Sequence, residues 1–345
     1  MSSNNNAVLS FIQQQPGRSS KEIHEGLANL VGYATVKRIL TKLKDKNLIV
    51  ADGKGRGTRY QLSKAYSLIR PIDVEAYFKV EIDDRQIEQN FNLQLIPETL
   101  AEIPLFTPEE NELLNQLQTT YKSNIKSLGQ SQYEKELERL AIDLSWKSSQ
   151  IEGNTYSLLE TERLLKEKET AEGKKKDDAT MLLNHKEALD FIIENPTYLK
   201  PLTVARIEDI HSLLIKDLGV DRNVRIRRIG ISGTNYKPLD NEFQIREALQ
   251  QMCDLVNKKT NTFEKALLLL VLLSYIQAFN DGNKRTARII ANAILMMDGY
   301  CPISFRTVDS IAYKKAMLLF YEQNNLAAFK DIFIKQLEFA VNTYF

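Results

Sequence analysis

The chain has 345 residues, 43% apolar and 26% charged, with 14 Gly and 9 Pro; this ordinary folded composition excludes wholesale disorder, a collagen-like repeat and a disulfide-built scaffold, and the length suits two or three domains. The net charge of +1 says nothing of partners, but residues 1–64 carry 11 basic and 4 acidic side chains, a net of +7 that leaves −6 for the rest. Only Cys253 and Cys301 occur, each in an apolar setting, and read as buried thiols of a reducing compartment. His24, His185 and His211 lie far apart, without metal-ligand spacing. The opening MSSNNN shows neither the basic nor the apolar region of a signal peptide. A cytoplasmic protein with no membrane partner is expected.

In chain order, Val8–Gln15 reads as a short amphipathic helix stopped by Pro16-Gly17. Ser19 and Glu22 have capping-box spacing ahead of a second helix. Tyr33–Lys46 turns Val36, Ile39, Leu40 and Leu43 inward, leaving Thr35, Lys37, Arg38, Thr41, Lys42 and Lys44 largely outside. LIVAD-GKGRGT-RYQLS then reads as strand, glycine turn, strand. Three helices and a hairpin resemble the winged helix-turn-helix family, which makes 1–65 an α+β domain. The resemblance implies that Thr35, Lys37, Arg38 and Lys42 address the major groove of double-stranded DNA, with Lys54, Arg56 and Arg59 of the wing on phosphates. The other reading is a winged module for protein contacts or dimerisation, its charges merely solvated.

Residues 66–108 read as a connector with short strands, EAYFKVEI among them, punctuated by Pro97, Pro104 and Pro108. From Pro108 the pattern is helical almost throughout 109–345, making the chain mainly α. His211 sits among Ile207, Ile210, Leu214 and Ile215 and reads as a packed or hydrogen-bonded histidine. Arg225–Pro238, RIRRIGISGTNYKP, breaks the pattern as a hairpin-like flap, with Ile229, Gly230, Ile231 and Tyr236 its marked positions. Such a flap could cover a cleft or lend its edge to another chain. The apolar run Ala266–Leu273 is 8 residues long, against about 20 for a membrane span, and fits a buried central helix.

That helix leads into Q-A-F-N-D-G-N-K-R-T-A-R, Gln277 to Arg288. Gly282 is expected to break the first helix, and the turn Asp281-Gly282-Asn283 to start the next. Lys284, Arg285 and Arg288 then crowd a helix N-terminus, where cations are unfavourable to the dipole. With the free amides they make a place for a polyanion, most simply a di- or triphosphate. Asp281 beside them suits magnesium.

The segment resembles the signature loop of Fic domains, H-x-F-x-[DE]-G-N-[GK]-R-x-x-R, at Phe279, Asp281, Gly282, Asn283, Lys284, Arg285 and Arg288, with Lys284 the Doc-like variant. The resemblance, over about 137–299 with helical support behind, implies an all-helical Fic core with a small β-hairpin flap that binds ATP and Mg2+. Asp281 would hold the metal, Gly282, Asn283 and Lys284 would lie on the phosphate cradle, and Arg285 and Arg288 would take the α/β and γ phosphates. Upstream, S-S-Q-I-E-G-N resembles the family's inhibitory motif, [ST]-x-x-x-E-[GN], at Ser148, Glu152 and Gly153. It implies that Glu152 occupies the fork of Arg288 and competes with the γ phosphate. The implied activity is transfer of AMP to a hydroxyl of a protein target, and a homodimer is expected.

One departure matters. Where the family has its catalytic histidine this chain has Gln277, and an amide has no nitrogen basic enough to take a proton. No remaining histidine lies near the loop in sequence, and none is expected there in the fold. Two readings follow: an autoinhibited adenylyltransferase with weakened or altered transfer, or an inactive Fic-like DNA-binding regulator, with or without ATP.

Overall fold

Val8, Leu9 and Ile12 of α1 (Ser3–Gln14), Ile23 of α2 (Ser20–Gly26) and Val36, Ile39, Leu40 and Leu43 of α3 (Tyr33–Asp45) close one end of the molecule in the computed structural model, which describes residues 3–28 and 30–345 apart from the Arg56 side chain. The capping box forms: the Glu22 amide donates to Ser19 Oγ at 3.3 Å, and the Ser19 amide to Glu22 Oε2 at 2.8 Å. β1 (Ile49–Asp52) and β2 (Arg59–Leu62) pair antiparallel, Ile49 opposite Leu62 and Asp52 opposite Arg59. The turn between them requires glycine at 53, where φ is +86° and a Cβ would stand 2.8 Å from the Gly57 carbonyl oxygen. The order helix, helix, helix, hairpin is the winged arrangement expected.

The connector differs from expectation. In place of short strands it has α4 (Tyr66–Ile69), α5 (Val74–Phe78), a 3-10 turn at Ile82–Asp84 and a π-helical segment at Leu95–Leu100. The alternation in EAYFKVEI suggested a strand, but Asp73 accepts from the Ala76 amide at 3.0 Å and starts a helix there instead. The connector lies on the C-terminal helices. Tyr77 donates to Glu322 at 2.7 Å, and the Leu326 amide to the Leu68 carbonyl at 2.7 Å.

The helical body runs α6 (Pro108–Ser127), α7 (Gln130–Ile151), α8 (Leu158–Glu167), α9 (Lys176–Glu194), α10 (Val204–Leu214), α11 (Glu242–Lys258), α12 (Thr262–Ile276), α13 (Asn283–Met297), α14 (Ser310–Gln323) and α15 (Ala327–Thr343). Every residue of α12 except Lys265 is buried, as the apolar run predicts. α12 and α13 form the central pair, with α9, α10 and α11 on one side and α7, α14 and α15 closing the rest. Among the described residues no helix is long and apolar enough to cross a membrane. The closing aromatics are structural: Tyr344 donates to Asp143 at 2.5 Å, and Phe345 meets Tyr121 edge-on at 5.1 Å.

The flap between α10 and α11 is an extended excursion turning at Ser232-Gly233, but its arms do not pair as strands. Its one bridge joins Lys237 to Asn90 of the connector. Arg225 explains the missing ladder. Its backbone amide donates to the Ala278 carbonyl at 3.0 Å, and its buried guanidinium donates to the carbonyls of Gln277, Arg227 and Leu239, so one side chain ties both arms to the body.

Candidate active site

The loop between α12 and α13 is shaped by two left-handed residues. Gln277, at φ 52°, ends α12, and Gly282, at φ 79°, caps the start of α13. The expected helix breaker, Gly282, therefore begins the second helix rather than ending the first. A Cβ at 282 would lie 3.2 Å from His211 and from Ile215, so bare backbone is needed there on steric grounds as well.

Asn283 closes the loop from within. Its Oδ1 accepts from the Phe279 amide at 2.9 Å, and its Nδ2 donates to the Phe279 carbonyl at 2.7 Å and to Gln277 Oε1 at 3.2 Å. Its side chain is thus turned away from any phosphate, and only its amide points out with the helix start. Among the described residues the first internal bond of α13 is from Thr286 to the Gly282 carbonyl, which leaves the amides of Asn283, Lys284 and Arg285 free. Gln277 is buried, and its Nε2 donates to the Ser274 carbonyl at 2.6 Å and to the Tyr321 hydroxyl at 3.3 Å. Its amide is a clasp of the loop.

The cations converge as the sequence predicts. Arg288 is fully buried and donates from Nε to Ser148 Oγ at 2.8 Å. Its Nη2 donates to the Ser148 carbonyl and to Glu152 Oε1, both at 3.0 Å. Lys284 Nζ reaches the other Glu152 oxygen at 3.3 Å. Ser148 and Glu152 stand four residues apart at the end of α7 and so address one partner together. Gly153, at φ 101°, lets the chain leave the helix directly beyond them. Burial would raise the Glu152 carboxyl, but the charges of Lys284, Arg288 and Arg285 overturn that and hold it at about 2. Asp281, half exposed, accepts from Arg285 Nη2 at 2.8 Å. Among the described residues, each of the two buried arginines here keeps one donor without a partner: Arg285 Nε and Arg288 Nη1.

Residues 201–295 match the family model described as Fic/DOC family, and residues 1–65 that of the penicillinase repressor. Residues 201–295 thus form a Fic/DOC family-model domain. Over 193 residues it is 30% identical to a protein named protein adenylyltransferase Fic from Nematostella vectensis, covering 54% of this chain and 43% of that protein. The chain spans about two fifths of the length of the curated relatives it matches. Among solved structures it resembles a Fic-1 fragment from C. elegans, with TM-score 0.60, 20% identity and coverage of 68% of this chain and 72% of that one. It also resembles a Fic domain-containing signalling protein from Bacteroides thetaiotaomicron, with TM-score 0.55, 20% identity and coverage of 67% and 96%. At these identities the likeness to solved structures is one of fold.

Within the Fic domain, other sequence expectations divide. Ile229 and Ile231 of the flap are half buried and Gly230 is exposed, but Tyr236 is not at the flap's edge: it is buried and donates to the Tyr275 carbonyl at 3.2 Å. Ile226, 70% exposed, is the flap's outward apolar residue. The alternation of Arg225, Ile226 and Arg227 held this signal, with its usual sense inverted because the buried position carries the clamp. In the winged domain Arg38, Lys37, Lys42 and Lys54 are exposed, and Thr35 is half buried. Arg59 is spoken for by Glu22 at 3.1 Å, because strand pairing carries it over α2. The Arg56 side chain lies outside the described residues.

Two histidines do approach the loop, contrary to expectation. His211 stacks on Phe279 with ring centroids 3.7 Å apart and planes 9° from parallel, and it bonds Thr286 Oγ1 at 3.3 Å. It is the packed, bonded histidine its neighbours suggested. His185 bonds Ser145 at 3.2 Å, and burial, then the charges of Arg288 and Arg285, hold it well below its ordinary range. Burial and the charge of Arg285 likewise lower His211 to about 4, against the weaker pull of Asp221 and Asp281. A histidine depressed in the fold takes up its proton more readily when unfolded. The stability it lends is complete above its ordinary value near 6.5 and is lost as pH falls toward 4. His211→Gln should therefore give a shallower loss of denaturant midpoint across that window than the parent. An unchanged slope would show that His211 is not depressed.

Proposed function

We propose that this chain binds ATP with magnesium at the start of α13, as a Fic-type protein adenylyltransferase restrained by Glu152 and slowed by Gln277. The supporting observation is the guanidinium of Arg288, buried, shared by Ser148 and Glu152, and still left with an unpartnered donor beside that of Arg285. A structural ion pair would use its donors up. A fork half filled by a carboxylate suits a phosphate that can displace it. Three free amides at a helix N-terminus add to the fit.

Asp281 would hold magnesium, which commonly takes one or two carboxylates and completes its shell with phosphate and water oxygens. The ion would supply charge neutralisation on the phosphates. In AMP transfer the target hydroxyl oxygen bonds to the α phosphorus, the bond from that phosphorus to the oxygen bridging it to the β phosphorus breaks, pyrophosphate leaves with that oxygen, and the hydroxyl proton needs an acceptor. Gln277 cannot take it, so the proton passes to water, and the missing base costs about 10²–10⁴-fold. The relatives' names extend to protein substrates only for those relatives; a protein hydroxyl is proposed here as the acceptor by likeness. The winged domain, with its net +7, is proposed to bind double-stranded DNA.

A second reading is favoured by one observation. Both ends of the Gln277 amide are engaged, with Asn283, Ser274 and Tyr321, so the side chain serves the loop rather than a substrate. On that reading ATP sets the state of a DNA-binding regulator without chemistry. Titration calorimetry with ATP and magnesium tests what both share. Binding that Arg288→Ala abolishes is expected, and absence of heat in the parent chain would remove the nucleotide from either account.

A further inference from the structure

The outward face of α3 is not open to solvent on every side. Arg38, Thr41, Lys42 and Asp45 fall on the stripe opposite the buried Val36, Ile39, Leu40 and Leu43. With Lys46 they form one wall of a groove of about 630 Å3, whose other wall is Thr107, Glu109 and Glu110 at the start of α6. Nearby, Lys64, at the end of the winged domain, pairs with Glu102 at 2.8 Å. The field of Glu98 also acts on Lys64, and that of Lys46 on Glu109. The strongly basic domain thus faces an acidic stretch of the same chain.

We propose that the start of α6, with Glu109 and Glu110, occupies one flank of α3 as a phosphate strand would, while Glu102 and Glu98 hold Lys64, so that in this conformation the winged domain is closed to a DNA duplex and must swing off the helical body to bind one. This rests on the reading of that domain as a DNA-binding unit. A helix seated in a major groove about 12 Å wide has a sugar–phosphate strand along each side. On the side of Lys42 and Lys46 that place is taken by α6, whose Glu109 and Glu110 face those cations across the groove. The other side, with Lys37 and Lys44, and the wing with Lys54 stay exposed. The closing pair is itself exposed, Lys64 by 81% and Glu102 by 60%, so closure is weak, salt-sensitive and reversible. DNA and the acidic stretch compete for the same cations.

The test uses the full chain and a labelled mixed-sequence duplex. Glu98→Gln, Glu102→Gln and Glu109→Gln together should tighten binding about tenfold at low salt. The control is Glu167→Gln, Glu169→Gln and Glu172→Gln, which changes net charge equally elsewhere. Equal affinities for the two triple variants would overturn the closure and leave DNA binding standing. No binding by any variant would overturn DNA binding, and the closure with it. Independently, a carbodiimide should condense the Lys64 amine with the Glu102 carboxylate, itself taking up the water released. The cross-linked chain should lose the duplex. Cross-linked chain that binds as well as untreated chain, or failure of that cross-link to form, would also overturn the proposal.

Discussion

Gln277→His in a Glu152→Gly background should raise transfer of labelled AMP onto protein by about 10²–10⁴-fold over Glu152→Gly alone, the span a positioned base contributes. The site can accept the change. Position 277 is left-handed, with φ 52°, a conformation in which histidine is several-fold enriched among non-glycine residues. A ring nitrogen can accept the Asn283 amide hydrogen that Gln277 Oε1 accepts now. What histidine cannot reproduce is the amide's simultaneous hold on the Ser274 carbonyl and the Tyr321 hydroxyl, so a small loss of stability should accompany the gain in rate. The double variant needs Glu152 removed because a base is of little use while the carboxylate competes with the γ phosphate for Arg288. A double variant that melts like its parent, binds ATP and transfers nothing would end the transferase reading and leave the regulator.

Glu152→Gly by itself should show two opposed effects. Without nucleotide it strips a carboxylate from the fully buried Arg288 and from Lys284. Breaking a buried pair from one side costs about 3–5 kcal/mol, and the lower end applies here because Ser148 still holds Arg288 through its hydroxyl and carbonyl. The melting temperature should fall by several degrees. With ATP and magnesium the γ phosphate takes the vacated place, affinity should rise at least about tenfold, and saturating ligand at 100 times its Kd returns about 2.7 kcal/mol. The restraint should not vary between pH 5 and 8. The Glu152 carboxyl is held at about 2, so its contribution is complete above its ordinary 4.5 and is lost only as pH falls toward 2. An ATP affinity that Glu152→Gly leaves unchanged, with no rescue of melting by ATP, would show that carboxylate and phosphate do not compete for Arg288.

What lay open in the residues was whatever the chain does locally. The Ser19–Glu22 box, the apolar α12, the glycine between Asp281 and Asn283, and the lone amide at 277 all depend on neighbours a few positions away, where helix period and side-chain reach decide the outcome. The pairing of Glu152 with Arg288 spans 136 residues and could be read only through resemblance to a family. The internal bonds of Asn283, the stacking of His211 on Phe279, the burial of Tyr236 and, in the winged domain, the pairing of Arg59 with Glu22 all escaped such reading. Each depends on which distant element arrives alongside. The connector failed for the same reason, since a strand is defined by a partner and Asp73 offered a helix start where no partner came. The residues in their order suffice for the inventory: a basic winged unit, a helical body, and a glycine turn with three cations and no histidine. Which partner each group takes is settled by packing, because a buried donor is committed by whatever acceptor comes within about 3 Å of it, and that acceptor can come from anywhere in the chain.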